Sequence, residues 1–166
     1  VARKIADLET IGLDLEAEGL MTSSGMSAIS TLLLGVLKPG DKVLSQGNLY
    51  GGTTELLRSI MAPIGMEPLF TDLRDLNSVE DMLKAHPDIR LLYCETPANP
   101  TLACVDIGAL TELAHRYSAW CAIDNSFPTP LLQQPFAHGV DFIIHSTTKY
   151  LNGHGNSTAG VILARD

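Results

Sequence analysis

The chain has 166 residues, 45% of them apolar and 18% charged, which is the composition of a folded globular chain and not of a disordered one. Eleven Lys and Arg against nineteen Asp and Glu give a net charge of −8, and no basic block interrupts that balance, so nucleic acid and anionic membrane are not expected as partners. The longest apolar runs, such as Leu32–Leu34 and Leu91–Tyr93, are far too short to span a bilayer, and no charged-then-apolar leader opens the sequence, so neither a membrane span nor a secretory signal is expected.

The sequence opens at Val1 within a helix-like stretch. A second helix is predicted over Met26–Leu37; it is apolar almost all round and is expected to be deeply buried. Pro39-Gly40 ends it and turns the chain into a strand over Lys42–Ser45. Further strands are predicted over Met66–Phe70, Leu91–Cys94, Trp120–Ile123, Val140–His145 and Gly160–Ala164. Several are nearly continuous apolar runs, as expected of strands covered on both faces. Asn77 followed by Glu80 resembles a capping box that opens a helix through Lys84. Asp106 can cap a helix to Tyr117, with Ile107, Leu110, Ala114 and Tyr117 on one face. This alternation predicts an α/β fold, a mainly parallel sheet flanked by helices, within a single domain. Because the sequence begins inside a helix and stops at Asp166 just after a strand-like run, it is expected to be a piece of a longer protein. Cys94, Cys104 and Cys121 are odd in number and form no CxxC pair, so reduced thiols in a cytoplasmic chain are expected rather than a disulfide framework or a zinc site. Cys121 lies in an apolar run and is expected to pack as a small hydrophobe.

Ligands of open α/β sheets gather outside the carboxyl ends of the strands, so the residues that follow each strand carry the functional signal. Thr22-Ser23-Ser24-Gly25-Met26-Ser27 precedes the buried helix; free N–H groups and the positive end of the helix dipole make an anion site there, or Ser24 is a plain cap. Asn48-Leu49-Tyr50-Gly51-Gly52-Thr53 offers a flat ring with a polar tip and two glycines that permit close approach, or it is a glycine turn before a helix. In Glu95-Thr96-Pro97-Ala98-Asn99-Pro100 two prolines stiffen the loop and are expected to hold Asn99 extended. Asp124-Asn125-Ser126-Phe127-Pro128 sets an acid directly after an apolar strand, at a ligand edge or as a turn cap. Ser146-Thr147-Thr148-Lys149-Tyr150 sets a lysine behind an apolar strand and three hydroxyl residues. Partial burial of that lysine would make it a usable amine, whereas a solvated lysine would be unremarkable. Each feature alone is ambiguous. Together, a lysine amine, an aspartate, a phosphate cradle, a flat ring and an amide are what pyridoxal 5'-phosphate requires.

Ser24-Gly25-Met26, Tyr50-Gly51-Gly52-Thr53, Glu95 to Pro100, Asp124-Asn125 and Ser146 to Tyr150 resemble, in order, the motifs of the Cys/Met-metabolism family of pyridoxal-phosphate enzymes. That family includes cystathionine γ-synthase, cystathionine γ-lyase, methionine γ-lyase and O-acetylhomoserine sulfhydrylase. The resemblance implies the large domain of a fold-type I transferase. It implies Lys149 as the lysine that bonds the cofactor and Asp124 as the partner of the pyridine nitrogen. Ser146, Thr148 and Ser24, with the backbone of Gly25 and Met26, would hold the phosphate. Tyr50 would stack on the ring and assist proton transfer to the γ leaving group, Asn99 would bond the phenolic oxygen, and Glu95 would support its loop. The implied chemistry is γ-elimination or γ-replacement on a sulfur-containing or O-acylated homoserine amino acid. The implied assembly is a homotetramer of active dimers. An aminotransferase of the same fold, or a catalytically incomplete fragment acting only through assembly, are the alternatives.

Some positions depart from the family pattern. Ser126 replaces a common threonine and keeps the hydroxyl. Gly52 stands where methionine γ-lyases typically carry a cysteine, which counts against that specific reaction. The loop Gly153-His154-Gly155-Asn156 is similar to both the lyase and the sulfhydrylase branches. The family's amino-terminal arm and carboxyl-terminal domain have no counterpart in these residues, so residues 1–166 are expected to be most of the cofactor-binding domain.

Overall fold

A computed structural model describes residues 1–165; Asp166 lies outside the described residues. Seven strands form one sheet: β1 (Ala17–Thr22), β2 (Lys42–Gln46), β3 (Glu67–Thr71), β4 (Ile89–Glu95), β5 (Trp120–Asp124), β6 (Phe142–His145) and β7 (Gly160–Arg165). Their spatial order is β1-β7-β6-β5-β4-β2-β3. The pairs β2/β3, β2/β4, β4/β5 and β5/β6 are parallel, whereas β7 runs antiparallel to both β6 and β1. The predicted, mainly parallel sheet is therefore present, with an antiparallel margin that the sequence did not announce. No helix separates β6 from β7. Without a crossover helix the chain turns back on itself, and the returning strand is antiparallel.

Six α-helices accompany the strands: α1 (Ala2–Glu9), α2 (Gly25–Val36), α3 (Gly51–Glu55), α4 (Leu76–Ala85), α5 (Ile107–Arg116) and α6 (Thr129–Leu132). A π-helical turn, Leu56–Met61, and a 3₁₀ turn, Ala62–Ile64, prolong α3. Asp106 caps α5 as expected, its Oδ1 accepting the Ala109 N–H at 3.0 Å. The capping box expected at Asn77 is not used. Asp75 caps α4 instead, its Oδ1 accepting the N–H groups of Asn77 at 3.1 Å and Ser78 at 3.4 Å. An aspartate two residues upstream reaches both orphan donors at once, so the helix starts earlier. The helix α2 is also not buried all round: Ala28, Ile29, Leu32 and Leu33 face the core while Leu34 is 54% exposed. The strand predicted from Val140 begins at Phe142, after a 3₁₀ turn over Pro135–His138 closed by Gly139 at φ +80°.

Strand β1 escaped prediction. Its Ala-Glu-Gly stretch is poor in β-formers, and its pairing comes from the far end of the chain, Ala17 opposite Arg165 through Thr22 opposite Gly160.

Two cores cover the two faces of the sheet. Leu92, Cys94, Cys121, Ile123 and Ile143 pack against α1, α4 and α5. Leu91, Tyr93, Ala122 and Ile144 pack against α2 and the π-helical turn. The period-two alternation of Leu91/Tyr93 against Leu92/Cys94 explains why β4 reads as one apolar run. Each large aliphatic side chain taken fully out of water contributes about 1.5–3 kcal/mol. Cys121 is fully buried, as expected of a small hydrophobe, and burial pushes its thiol up to about 12. No helix among the described residues is long and apolar enough to cross a membrane.

The chain runs from β2 outward to β3 and then returns past β2 to β4. That reversal opens a crevice at the carboxyl ends of β2 and β4, where ligands of such sheets bind.

Candidate active site

Ser24 is extended, at φ −163°, and caps α2: its Oγ accepts the Ser27 N–H at 3.0 Å, and its carbonyl accepts the Ala28 N–H at 3.0 Å. The N–H groups of Gly25 and Met26 then stand at the positive end of the helix without an acceptor among the described residues. Gly25 lies so near the end of β6 that a Cβ on it would come within 2.5 Å of the Ser146 Cβ. Gly160 presses on the Ser24 carbonyl, which any Cβ there would strike. Two glycines thus let the helix start, the last strand and Ser146 converge on a small cradle of N–H and hydroxyl groups. Such a cradle suits an anion of phosphate size.

A second group gathers at the β2/β4 crevice. The Gln46 side chain donates to the Glu95 carbonyl at 2.7 Å and accepts the Glu95 N–H at 3.2 Å, extending the ladder by one amide. The Glu95 carboxyl group faces the cavity and is only 6% exposed. Both its oxygens accept the Tyr50 N–H, at 3.0 and 2.9 Å, and the Thr53 hydroxyl lies at 3.5 Å. Burial first, and the negative charge of Asp124 second, push this carboxyl group up to about 7, against the pull of the Tyr50 and Asn99 N–H groups and the Thr53 hydroxyl. Glu95 therefore ties the Tyr50 turn to the Asn99 loop, in keeping with a supporting role. Asn99 itself is exposed and lies in a turn closed by the Leu102 N–H on the Ala98 carbonyl at 2.7 Å.

Asp124 ends β5 with its carboxylate fixed at both oxygens. Oδ1 accepts the Ser126 N–H at 3.0 Å, and Oδ2 accepts the Tyr93 hydroxyl at 3.4 Å. Burial pushes the Tyr93 hydroxyl well above its ordinary range, so it stays a donor. Ser126 Oγ accepts the Ser146 N–H at 2.6 Å, joining the turn after β5 to the turn after β6. The Thr148 hydroxyl donates to the Ala159 carbonyl and accepts the Ala159 N–H, each at 3.1 Å. Lys149 is exposed in the turn after β6, the solvated one of the two settings the sequence left open. The Phe127 and Tyr150 rings meet edge to face at 5.5 Å beside it.

All nine residues anticipated from the sequence line one cavity of about 690 Å³: Ser24, Gly25, Met26, Tyr50, Asn99, Asp124, Ser146, Thr148 and Lys149. Glu95, Ser126 and His154 line it too. The residues present fit pyridoxal phosphate. An anion cradle, a fixed carboxylate, a ring half exposed at Tyr50 and an amine share one space. Sequence reading missed Gln46 and Tyr93. Both look like ordinary strand residues, and only the register of β2, β4 and β5 gives them partners.

Comparison with known proteins gives the same picture over the whole chain. Residues 1–166 match the family described as Cys/Met metabolism PLP-dependent enzyme. The chain is 44% identical to an L-methionine gamma-lyase of Fusobacterium nucleatum, over 98% of this chain and 40% of that protein. It is 41% identical to the cystathionine beta-lyase MetC of Bacillus subtilis, over 95% of this chain and 40% of that protein. The solved structure of metB from Corynebacterium glutamicum superposes with a TM-score of 0.92 at 34% identity, covering 99% of this chain and 41% of that one. The chain thus spans about 40% of the length of the curated relatives it matches. Matched throughout its length and sharing their fold, the chain belongs to the Cys/Met-metabolism family of PLP-dependent enzymes.

Proposed function

We propose that the full-length protein catalyses γ-elimination or γ-replacement on a sulfur-containing or O-acylated homoserine amino acid, in transsulfuration or methionine metabolism. The observation that carries this reading is the common lining of one cavity by all nine residues. When bound, pyridoxal phosphate supplies an electron sink for the substrate's α-carbon. Lys149 would hold the cofactor through its amine and, when free, would take the proton from the substrate's α-carbon and carry a proton at Cβ. Asp124, oriented by Tyr93 and Ser126, holds the proton of the ring nitrogen. The N–H groups of Gly25 and Met26 and the hydroxyls of Ser24 and Ser146 bind the phosphate. Thr148 joins them by exchanging its bond to the Ala159 carbonyl for one to the phosphate. Tyr50 would stack on the ring and give a proton to the γ leaving group, and the Asn99 amide would bond the phenolic oxygen.

Gly52 weighs against methionine as the substrate, while relatives named L-methionine gamma-lyase at 44% and 43% identity weigh for it. The proposal therefore stays with the substrate class. Residues 1–166 are read as most of the cofactor-binding domain of a longer subunit, supported by the 40% coverage of relatives. A homotetramer of active dimers in the cytoplasm completes the reading; the three unpaired thiols agree with that compartment.

The test uses the full-length protein with cystathionine, methionine, homocysteine, O-acetylhomoserine and O-succinylhomoserine, each with and without a thiol. A 2-oxo acid with ammonia marks elimination, and a new thioether or thiol amino acid marks replacement. Lys149→Ala should abolish both turnover and the visible absorbance of the bound cofactor. An unchanged visible spectrum in that variant, or no turnover of any substrate by the parent protein, overturns the reading.

A further inference from the structure

Behind the sheet edge that carries the cavity lies a second polar cluster, on the opposite face and sealed from water. Glu9, the last residue of α1, is fully buried, as are His145 and Asn125. Glu9 Oε1 accepts two hydrogen bonds, from His145 Nε2 at 2.7 Å and from Asn125 Nδ2 at 2.6 Å. Asn125 is joined to Gln133 in both directions: its Nδ2 donates to the Gln133 carbonyl at 2.9 Å, and Gln133 Nε2 donates to Asn125 Oδ1 at 2.9 Å. Gln133 Nε2 also donates to the Thr96 carbonyl at 2.9 Å.

The positions of these residues in the chain give the cluster its meaning. Asn125 directly follows Asp124, His145 directly precedes Ser146, and Thr96 directly follows Glu95. Side chains alternate along a strand, so the pairs Asp124/Asn125 and His145/Ser146 each put one side chain into the cavity and the other into the cluster, whereas Thr96 joins it by its backbone carbonyl. A single carboxyl group from α1 therefore grips the ends of β5 and β6 and, through Gln133, reaches the end of β4.

The cluster is also expensive. Glu9 Oε2 and His145 Nδ1 are buried without a partner among the described residues. A buried carboxyl–imidazole pair with unpaired atoms is a poor way to gain stability, because apolar side chains of similar volume serve as well or better. An arrangement that gains little in stability is explained if it fixes geometry.

We propose that Glu9 is a positioning residue for the cofactor site, holding the carboxyl ends of β5 and β6 in place so that Asp124 and Ser146 face the cofactor at fixed separation. Glu9 touches neither cofactor nor substrate; it acts through Asn125 and His145. The proposal rests on the assignment of Asp124 and Ser146 to the cofactor.

The test measures the dissociation constant for pyridoxal phosphate in the full-length protein, by titrating apoprotein and following visible absorbance, alongside the thermal midpoint of the apoprotein. Glu9→Gln, which keeps the shape and one acceptor oxygen, should weaken cofactor binding at least tenfold under conditions where the apoprotein is folded. The double variant Glu9→Leu with His145→Leu replaces the polar pair by apolar contact. It should recover the parent's thermal midpoint while cofactor binding stays at least tenfold weaker. Cofactor affinity within twofold of the parent in folded Glu9→Gln overturns the proposal. So does a double variant whose affinity returns together with its stability, since that marks a purely structural pair. If Glu9→Gln does not fold, the double variant alone decides. Failure of the parent protein to bind pyridoxal phosphate would instead refute the underlying site assignment, so the two failures are told apart.

Discussion

The two faces of the sheet's carboxyl edge use polar residues in opposite ways. On the cavity face, Tyr50, Asn99 and Lys149 are exposed, and the Gly25 and Met26 N–H groups have no acceptor among the described residues. On the rear face, Glu9, Asn125 and His145 are fully buried and spend their hydrogen bonds on one another. The first face keeps bonding capacity open for a ligand, and the second consumes it to hold the backbone. The difference also separates two kinds of failure. A change on the rear face removes a support from the fold, whereas a change in front mostly alters what the cavity can bind.

The largest effect is expected at the rear. His145→Leu leaves the buried Glu9 carboxyl group deprived of one of its two donors, and should cost about 3–5 kcal/mol in denaturant unfolding of the full-length protein. A loss under about 1 kcal/mol would mean that the two faces do not differ in the way described.

Glu95 supplies the next test, and it belongs to the front. Its carboxyl group is raised from the ordinary 4.5 to about 7, so the fold favours the protonated form. That favourable contribution is complete below pH 4.5 and is lost as pH rises through about 7. Relative to Glu95→Gln, the parent should lose about 3 kcal/mol of stability between those limits and change little above them, at about 1.4 kcal/mol per tenfold change in proton affinity. A difference that is flat with pH would remove Glu95 from the list of groups shaped by the cavity.

Gly25→Ala should have the smallest effect on stability, about 1–3 kcal/mol, because the new methyl group must push α2 away from Ser146. Cofactor binding should weaken at the same time, read by equilibrium titration. A folded Gly25→Ala variant that binds pyridoxal phosphate as tightly as the parent would show that this close approach does not form the anion cradle.

The front face was legible in the sequence and the rear face was not, for a physical reason. Residues such as Asp124 and Lys149 follow strands whose apolar runs are local signals, and the fold rule then names the edge where they gather. Glu9 gave no such signal: it stands 116 residues from Asn125 and 136 from His145, and it reads as an ordinary helix-end acid. The same holds for β1, which no local propensity marks and which is made a strand by β7. The parallel centre of the sheet could be anticipated from alternation of elements. The antiparallel margin depended on the absence of a helix between β6 and β7, and the Gly/His/Asn loop there has no periodicity from which its course could be read.

The place of β7 in the sheet bears on how the chain is made. It leaves the ribosome after the other six strands of this sheet, yet it lies between β1 and β6. Translation proceeds at roughly 5–20 residues per second, so β1 waits on the order of ten seconds for its partner. Through that interval β1 has no strand to pair with, while β2 to β5 can already pair among themselves. Gly160 also presses on Ser24, so the cradle at the start of α2 takes its final shape only once residues more than a hundred positions later have been made.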